Sequence, residues 1–428
     1  MGGHAEVETD GEVASGRATY DVRTVAVAVT SGVFLGGVAT GVAFPTLPLL
    51  DRVLGISAVM LGVILAANRI ARLLMNTPAG SFIDRVGARK PMIAGLFVQG
   101  LAPFGYVVGL NTPTVGLGTL PVVGSVSAPG LVFVLARAFW GVGSAFVFVG
   151  AFAVITHVTE REDRGRWTGY MRAGQSLGFP TGLVVGGVLA DLFDVQTAFL
   201  TAGTLAMLAG VIGLLVLPDV APSGTGRTAL RRLPSLVRAT PGVLPIGVAN
   251  GAIRLLFGGV LLTTAVKYAA VLDLNLGEVG LGAAGVTGLV MGAGVLASSA
   301  ATVVAGRVSD RLDRRELATL PAFGVLAAGF ATLALVPTLA GMFGGVLLVG
   351  AGVGGAGPVL LAALGDRSPA GSEGKFGGVY NVFGDVGLSI GPLVAFPAVT
   401  SIGYETTYLA CAGVGVACLL LVNATLLR

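Results

Sequence analysis

The sequence predicts an all-α membrane protein of about twelve spans, arranged as two bundles of six. Three observations carry this. Only 11% of the 428 residues are charged and 54% are hydrophobic, with a mean hydropathy of +0.88, whereas a soluble domain carries roughly 25% charged residues. The charge is missing from long continuous runs: residues 91–136, 279–306 and 317–365 hold no Asp, Glu, Lys or Arg, and a bilayer span needs about 20 apolar residues. A short charged pattern also recurs at equivalent places in the two halves of the chain, as expected of a repeated bundle.

Taken in order, residues 1–21 are polar and include Glu6, Glu8, Asp10, Glu12 and Asp21. No basic segment precedes an apolar one there, so a disordered cytoplasmic tail is expected rather than a signal peptide. Spans follow at 24–50, 57–80 and 91–110, the second weakened by Arg69 and Arg72. Spans at 130–155, 166–190 and 196–217 complete a first half, 22–217. Residues 218–242, rich in Pro, Gly, Ser and Arg, read as a cytoplasmic linker. The second half, 243–428, gives spans at 243–270, 280–305, 317–337, 340–364, 375–399 and 405–427.

Lys and Arg set the orientation, because cytoplasmic loops are enriched in them. With the N-terminus inside, nineteen of the 26 basic residues fall in loops on that side. Only Arg52 and Lys267 fall on the other, and five lie within spans. Both termini are therefore expected in the cytoplasm, in the cell membrane. The basic residues are spread over many short loops, which does not suggest nucleic acid. The 69 glycines follow no Gly-X-Y period, and small residues suit helix contacts in lipid. Cys411 and Cys418 lie seven apart on one helix face and cannot pair with each other.

The segment after span 2 reads Gly80-Ser-Phe-Ile-Asp84-Arg85-Val-Gly87-Ala-Arg89-Lys90, and that after span 8 reads Gly306-Arg-Val-Ser-Asp310-Arg311-Leu-Asp-Arg314-Arg315. Span 4 carries Arg137-Ala-Phe-Trp-Gly141-Val-Gly143. Span 5 carries Gly174-Gln-Ser-Leu-Gly178-Phe-Pro180-Thr-Gly182, with Gly186-Gly187 beyond. On these motifs the chain, from about 24 to 427, resembles the major facilitator superfamily of transporters. The two charged segments are similar to the superfamily's loop 2–3 motif and its weaker copy. The Arg137 segment resembles the span 4 motif. The Gly174 segment resembles the span 5 motif associated with antiporters, although Phe179 separates the Gly and Pro that are usually adjacent.

The resemblance implies roles. Asp84 would sit against the N-terminal end of span 11, where unpaired N–H groups carry partial positive charge, and latch the halves when the cytoplasmic side is closed. Arg85 and Arg89 would orient it, and Gly80 and Gly87 would permit a tight turn. The alternative is that these are ordinary basic loop residues. The span 5 glycines and Gly384, Gly387 and Gly391 of span 11 would let the halves rock, or would only pack tightly.

Ionisable groups inside spans are costly and usually functional. Here they are Arg69, Arg72, Arg137, Arg172, Arg254 and one acid, Asp385. At about 1.5 Å per residue, Asp385 and Arg254 lie at similar depth near the midplane, so Asp385 is the candidate proton carrier with Arg254 beside it. A permanent Asp385–Arg254 ion pair that only holds the bundle is the competing expectation. Arg72 and Arg172 lie nearer the cytoplasm, where they can snorkel. Asn68, Arg69, Trp140, Tyr170, Arg172, Gln175, Asn250, Tyr380 and Asn381 are cavity candidates, each also suited to a plain helix contact.

Gly352-Val-Gly354-Gly-Ala-Gly357 matches a dinucleotide pattern, but no βαβ unit surrounds it, so span packing is expected. Gly371 to Lys375 lacks the spacing of a phosphate loop. His4 and His157 are isolated, leaving no metal cluster, cofactor site or nucleophile–base pair, and no enzyme is expected. The expected function is secondary transport of a small molecule by alternating access, as a monomer in the lipid bilayer, with proton-coupled efflux as the leading form. A facilitator or symporter for a small anion or organic acid is the alternative, resting on five intramembrane arginines against one aspartate. A non-transporting sensor on the same scaffold is a third.

Overall fold

The computed structural model describes residues 21–120, 124–160, 162–219, 242–368 and 373–427. The expected N-terminal tail and nearly all of the expected linker lie outside these residues. Helices α1 (Val22–Thr46), α2 (Ala58–Val86), α3 (Arg89–Leu110), α4 (Ala128–Val158), α5 (Arg164–Leu192) and α6 (Val195–Val216) form the first half. The second contains α7 (Val243–Val271), α8 (Ala283–Ser309), α9 (Thr319–Leu335) and α10 (Leu339–Arg367). A continuous helical stretch, Glu373–Leu426, follows and breaks at Gly403, whose φ of 81° and ψ of 169° are not helical. It comprises α11 (373–402) and α12 (404–426), so the described residues hold twelve long apolar helices, as expected. The sequence reading placed a short loop at 400–404, and a single glycine makes that turn.

The helices start and stop for local reasons. Asp21, Ser57, Ser127, Asp194 and Thr338 accept N–H bonds as N-caps, the positions at which such side chains replace the missing helical acceptor. Gly87, at φ 85°, ends α2. The expected end of span 2 at residue 80 is therefore short by nearly two turns. Gly80, Asp84 and Arg85 stand on the helix rather than in a loop, and Gly306 likewise lies inside α8. The α3–α4 connection, expected to be plain loop, holds an antiparallel pair, β1 (Gly116–Leu120) and β2 (Gly124–Ser127).

The halves repeat one packing scheme. In the first, α1 packs on α5, α2 on α4, α3 on α4 and α3 on α6. In the second, α7 packs on α11, α8 on α10, α9 on α10 and α9 on α12. The glycine motifs build the first kind of contact. Gly174, Gly178, Gly182 and Gly186 recur every four residues and lie against Thr30, Phe34, Val38 and Val42 of α1. A Cβ at Gly182 would fall 2.0 Å from the Val38 carbonyl oxygen. Gly387 and Gly391 meet Gly251 and Gly259 of α7 in the same way. These glycines thus pack helices within each half, while Gly187 of the same run packs across the halves on Ala284 of α8.

Between the halves, α5 faces α8 and α2 faces α11. Gly288 and Gly292 of α8 rest on Leu183 and Val184 of α5, and Gly62 of α2 rests on Pro392 of α11. These approaches lie in the part of the molecule near Asp51 and Lys267. Toward the other end, which carries the α2–α3 connection, the halves part. Ser299, Ala300, Thr302, Val303, Val304, Arg307 and Val308 of α8 are exposed, as are Arg172, Gln175 and Leu177 of α5. Gly306, Gly377 and Gly378 have open space where a side chain would begin.

Candidate functional site

Three helices from both halves converge at mid-depth, each offering two residues on one face. Positions three or four apart on a helix are neighbours: Arg69 and Arg72 on α2, Arg254 and Gly258 on α7, Asp385 and Leu388 on α11. They form two layers. In the layer nearer Asp51, Arg69 donates from Nη1 to the carbonyl oxygens of Gly258 and Leu388, both at 2.9 Å. Gly258 lies in a π-helical segment, Leu255–Leu261, that begins directly after Arg254. Such π segments are rare and often mark functional sites. The Arg69 guanidinium also lies over the Phe44 ring of α1, 5.5 Å from its centroid.

In the layer nearer the open end, Arg72 Nη2 donates to Asp385 Oδ1 at 3.1 Å, with the two side chains 26% and 20% exposed. This corrects the expected pairing: Asp385 joins Arg72 of the opposite half, not Arg254 of its own. It also corrects Arg72, which does not reach for the cytoplasmic end but crosses between halves. Arg254 is exposed, and among the described residues it has no hydrogen bond or ion pair. Its stem passes Gly384, whose missing side chain leaves room for it.

The remaining candidates separate into structural and accessible groups. Arg137 is 1% exposed and bonds Asn68 Oδ1 at 3.1 Å and the Ile64 and Leu65 carbonyls, so it ties α4 to α2. Gly141 lets those helices meet, lying against the Asn68 backbone. Trp140 is buried in the first-half core. Tyr380 donates to Gly357 O of α10 at 2.7 Å and accepts at its own carbonyl from Asn250 Nδ2. Asn68, Trp140, Asn250 and Tyr380 are therefore helix contacts, although Asn250 Oδ1 is buried without a partner. Pro180 is buried in the α5 contact; Arg172, Gln175, Tyr170 and Asn381 are exposed.

Asp84 is half-buried near the end of α2. Arg89 reaches Leu214 O at 3.1 Å and Asp219 at 3.5 Å, tying α3 to the end of α6. In the second copy, Asp310 pairs with Arg315 at 3.1 Å, Arg315 also reaches Asp366, and Arg311 is exposed. Two cross-half contacts near the closed end were not foreseen. Lys267 of α7 pairs with Asp51 and lies over the Phe396 ring. Asp191, at the end of α5, accepts from the Gly285 N–H in the first turn of α8 at 2.6 Å. A signal for the first was present, since Lys267 is one of only two basic residues assigned to that side.

The sequence profile described as Major Facilitator Superfamily matches residues 29–392, and again 256–428. The chain belongs to that superfamily. It is a transporter-family membrane protein, and its relatives include proteins named for multidrug and quinolone resistance. Multidrug resistance protein 2 of Bacillus subtilis is 27% identical over 197 residues, covering 46% of this chain and 44% of the relative. A quinolone resistance protein of Staphylococcus aureus is 24% identical over 225 residues, covering 51% and 53%. The chain spans about half the length of the curated relatives it matches. The structure of a bacterial homologue of the human lysosomal transporter Spinster, inward-facing and unoccupied, superposes on this superfamily member with a TM-score of 0.70. It shares 13% identity and covers 95% of this chain and 96% of that one, a likeness of fold.

Proposed function

We propose that the chain exports small amphipathic molecules in exchange for protons by alternating access. The Arg72–Asp385 pair carries this reading. It bridges the halves at mid-depth, at 3.1 Å, and persists only while Asp385 is ionised. Protonation removes the charge that holds α11 to α2, so a proton changes the free energy of separating the halves, and differential affinity for two states is what coupling requires. The relatives named for multidrug and quinolone resistance support export. The bias of basic loops places the open end in the cytoplasm. The structure is then the inward-open state, closed outside by Asp51–Lys267 and Asp191–Gly285. Asp84 would engage the start of α11 in the opposite state.

The test is reconstitution with an imposed pH gradient, using norfloxacin as the transported probe. Gradient-driven transport is expected in the unmodified protein. Asp385→Asn should lose it while keeping probe exchange at equal pH, because the amide cannot take up a proton but keeps the shape. Gradient-driven transport retained in Asp385→Asn overturns the proton role. If the variant is unstable, the loss should stay below the ~3–5 kcal/mol of a broken, fully buried pair, since both side chains touch the cavity. The double variant Arg72→Gln with Asp385→Asn should restore the stability without restoring coupling.

The three arginines around one aspartate favour a second reading, a facilitator for a small anion. Under it, Asp385→Asn keeps full transport of an organic acid and the pH gradient has no effect.

A further inference from the structure

We propose that Arg254 is the receptor for the anionic group of the substrate, and that the substrates are carboxylate-bearing amphiphiles, acids or zwitterions. The inference rests on the transporter reading above and names the substrate class for that site.

The two layers differ in one respect. In the layer nearer Asp51 the Arg69 guanidinium is satisfied by two carbonyl oxygens of the other half, Gly258 O and Leu388 O. In the layer nearer the open end, Arg72 is satisfied by Asp385. Arg254 stands one helical turn from Gly258, on the face that Gly258 presents to Arg69, so it points toward the space between the halves. It is exposed and, among the described residues, has neither hydrogen bond nor ion pair. It lies eleven residues along α7, about 16 Å from the helix start. The absence of a side chain at Gly384 gives its stem a bed: a Cβ there would lie 3.3 Å from Arg254 Cγ.

The charges decide the sign of the ligand. Two guanidinium groups and one carboxylate occupy the layer, and the carboxylate is already engaged. A cationic ligand would have to take Asp385 from Arg72 and leave two arginines facing it. A carboxylate meets Arg254 with nothing to displace, and the planar fork of the guanidinium matches both its oxygens.

The experiment is equilibrium binding to the purified protein at pH 7.5, without a gradient, using norfloxacin and its methyl ester. The two share a ring system and differ in the carboxylate. The unmodified protein should bind the acid more tightly. Arg254→Gln should weaken the acid by about ten- to a hundredfold, the range of a charge-assisted bond, and leave the ester unchanged. Arg254→Lys, which keeps the charge without the fork, should fall between them and reports on folding. Equal affinity for acid and ester in the unmodified protein, binding of neither, or equal loss of both in Arg254→Gln overturns the assignment. Failure of proton coupling shows instead as loss of gradient-driven norfloxacin transport, which leaves the acid-over-ester preference untouched.

Discussion

At the scale of single residues, Arg69 ties the two halves together. Its two bonds to Gly258 O and Leu388 O exist only while the halves are together at that level. Bonds to a charged group contribute about 1.5–3 kcal/mol each. Arg69→Met should therefore shift the population toward the state closed at the opposite end. Spin labels at Val86 and Val308, at the open ends of α2 and α8, should show a new shorter distance, and an unchanged distribution would remove Arg69 from the switch. Asp385 was legible in the sequence because it is the sole intramembrane acid; its partner was not. Depth along a helix is a one-dimensional measure, and Arg72 looked peripheral only because α2 was expected to end at residue 80. The helix runs to Val86, which puts Arg72 at its middle.

At the scale of elements, the α1–α5 contact shows why glycine spacing alone does not reveal which surface it serves. The four-residue period was plain in the sequence, and either a hinge or tight packing satisfied it. The structure assigns it to packing within one half. Gly182→Ala should cost about 1–3 kcal/mol, as overpacking does, because its Cβ would meet the Val38 carbonyl. Gly306→Ala, which points into open space, should leave the melting temperature within a degree or two. Equal melting shifts for the two variants would contradict this assignment. The π-helical turn after Arg254 had no sequence signal; one of its carbonyls, Gly258 O, accepts from Arg69 of another helix.

At the scale of the molecule, the halves meet at one end through few polar contacts, and this sets how readily that end opens. The Asp51–Lys267 pair keeps only 13% and 19% of its side chains exposed, so removing Lys267 should cost at least the ~1 kcal/mol at the upper range of surface pairs. Lys267→Gln should raise the labelling rate of a cysteine at Leu393, beside the Gly62 contact, by at least about fivefold with an impermeant maleimide. No increase would mean that the pair does not hold the end shut. The twelve helices and their grouping were legible because apolar length and loop charge are local properties. The cross-half contacts were not, because they depend on which helices the fold sets side by side.

The layered arginines have an electrical consequence. Arg69, Arg72 and Arg254 face one ionised partner, Asp385, so the empty site carries an excess of two positive charges. Membrane voltage acts on such an excess with about 2.3 kcal/mol per charge per 100 mV for a full crossing. In the orientation proposed above, with the open end in the cytoplasm, the site shares the potential of that compartment. An interior-negative voltage then favours the empty protein in the conformation seen here, and a bound carboxylate removes part of that bias. Reorientation of the empty protein should produce a current that shrinks when an organic acid is bound.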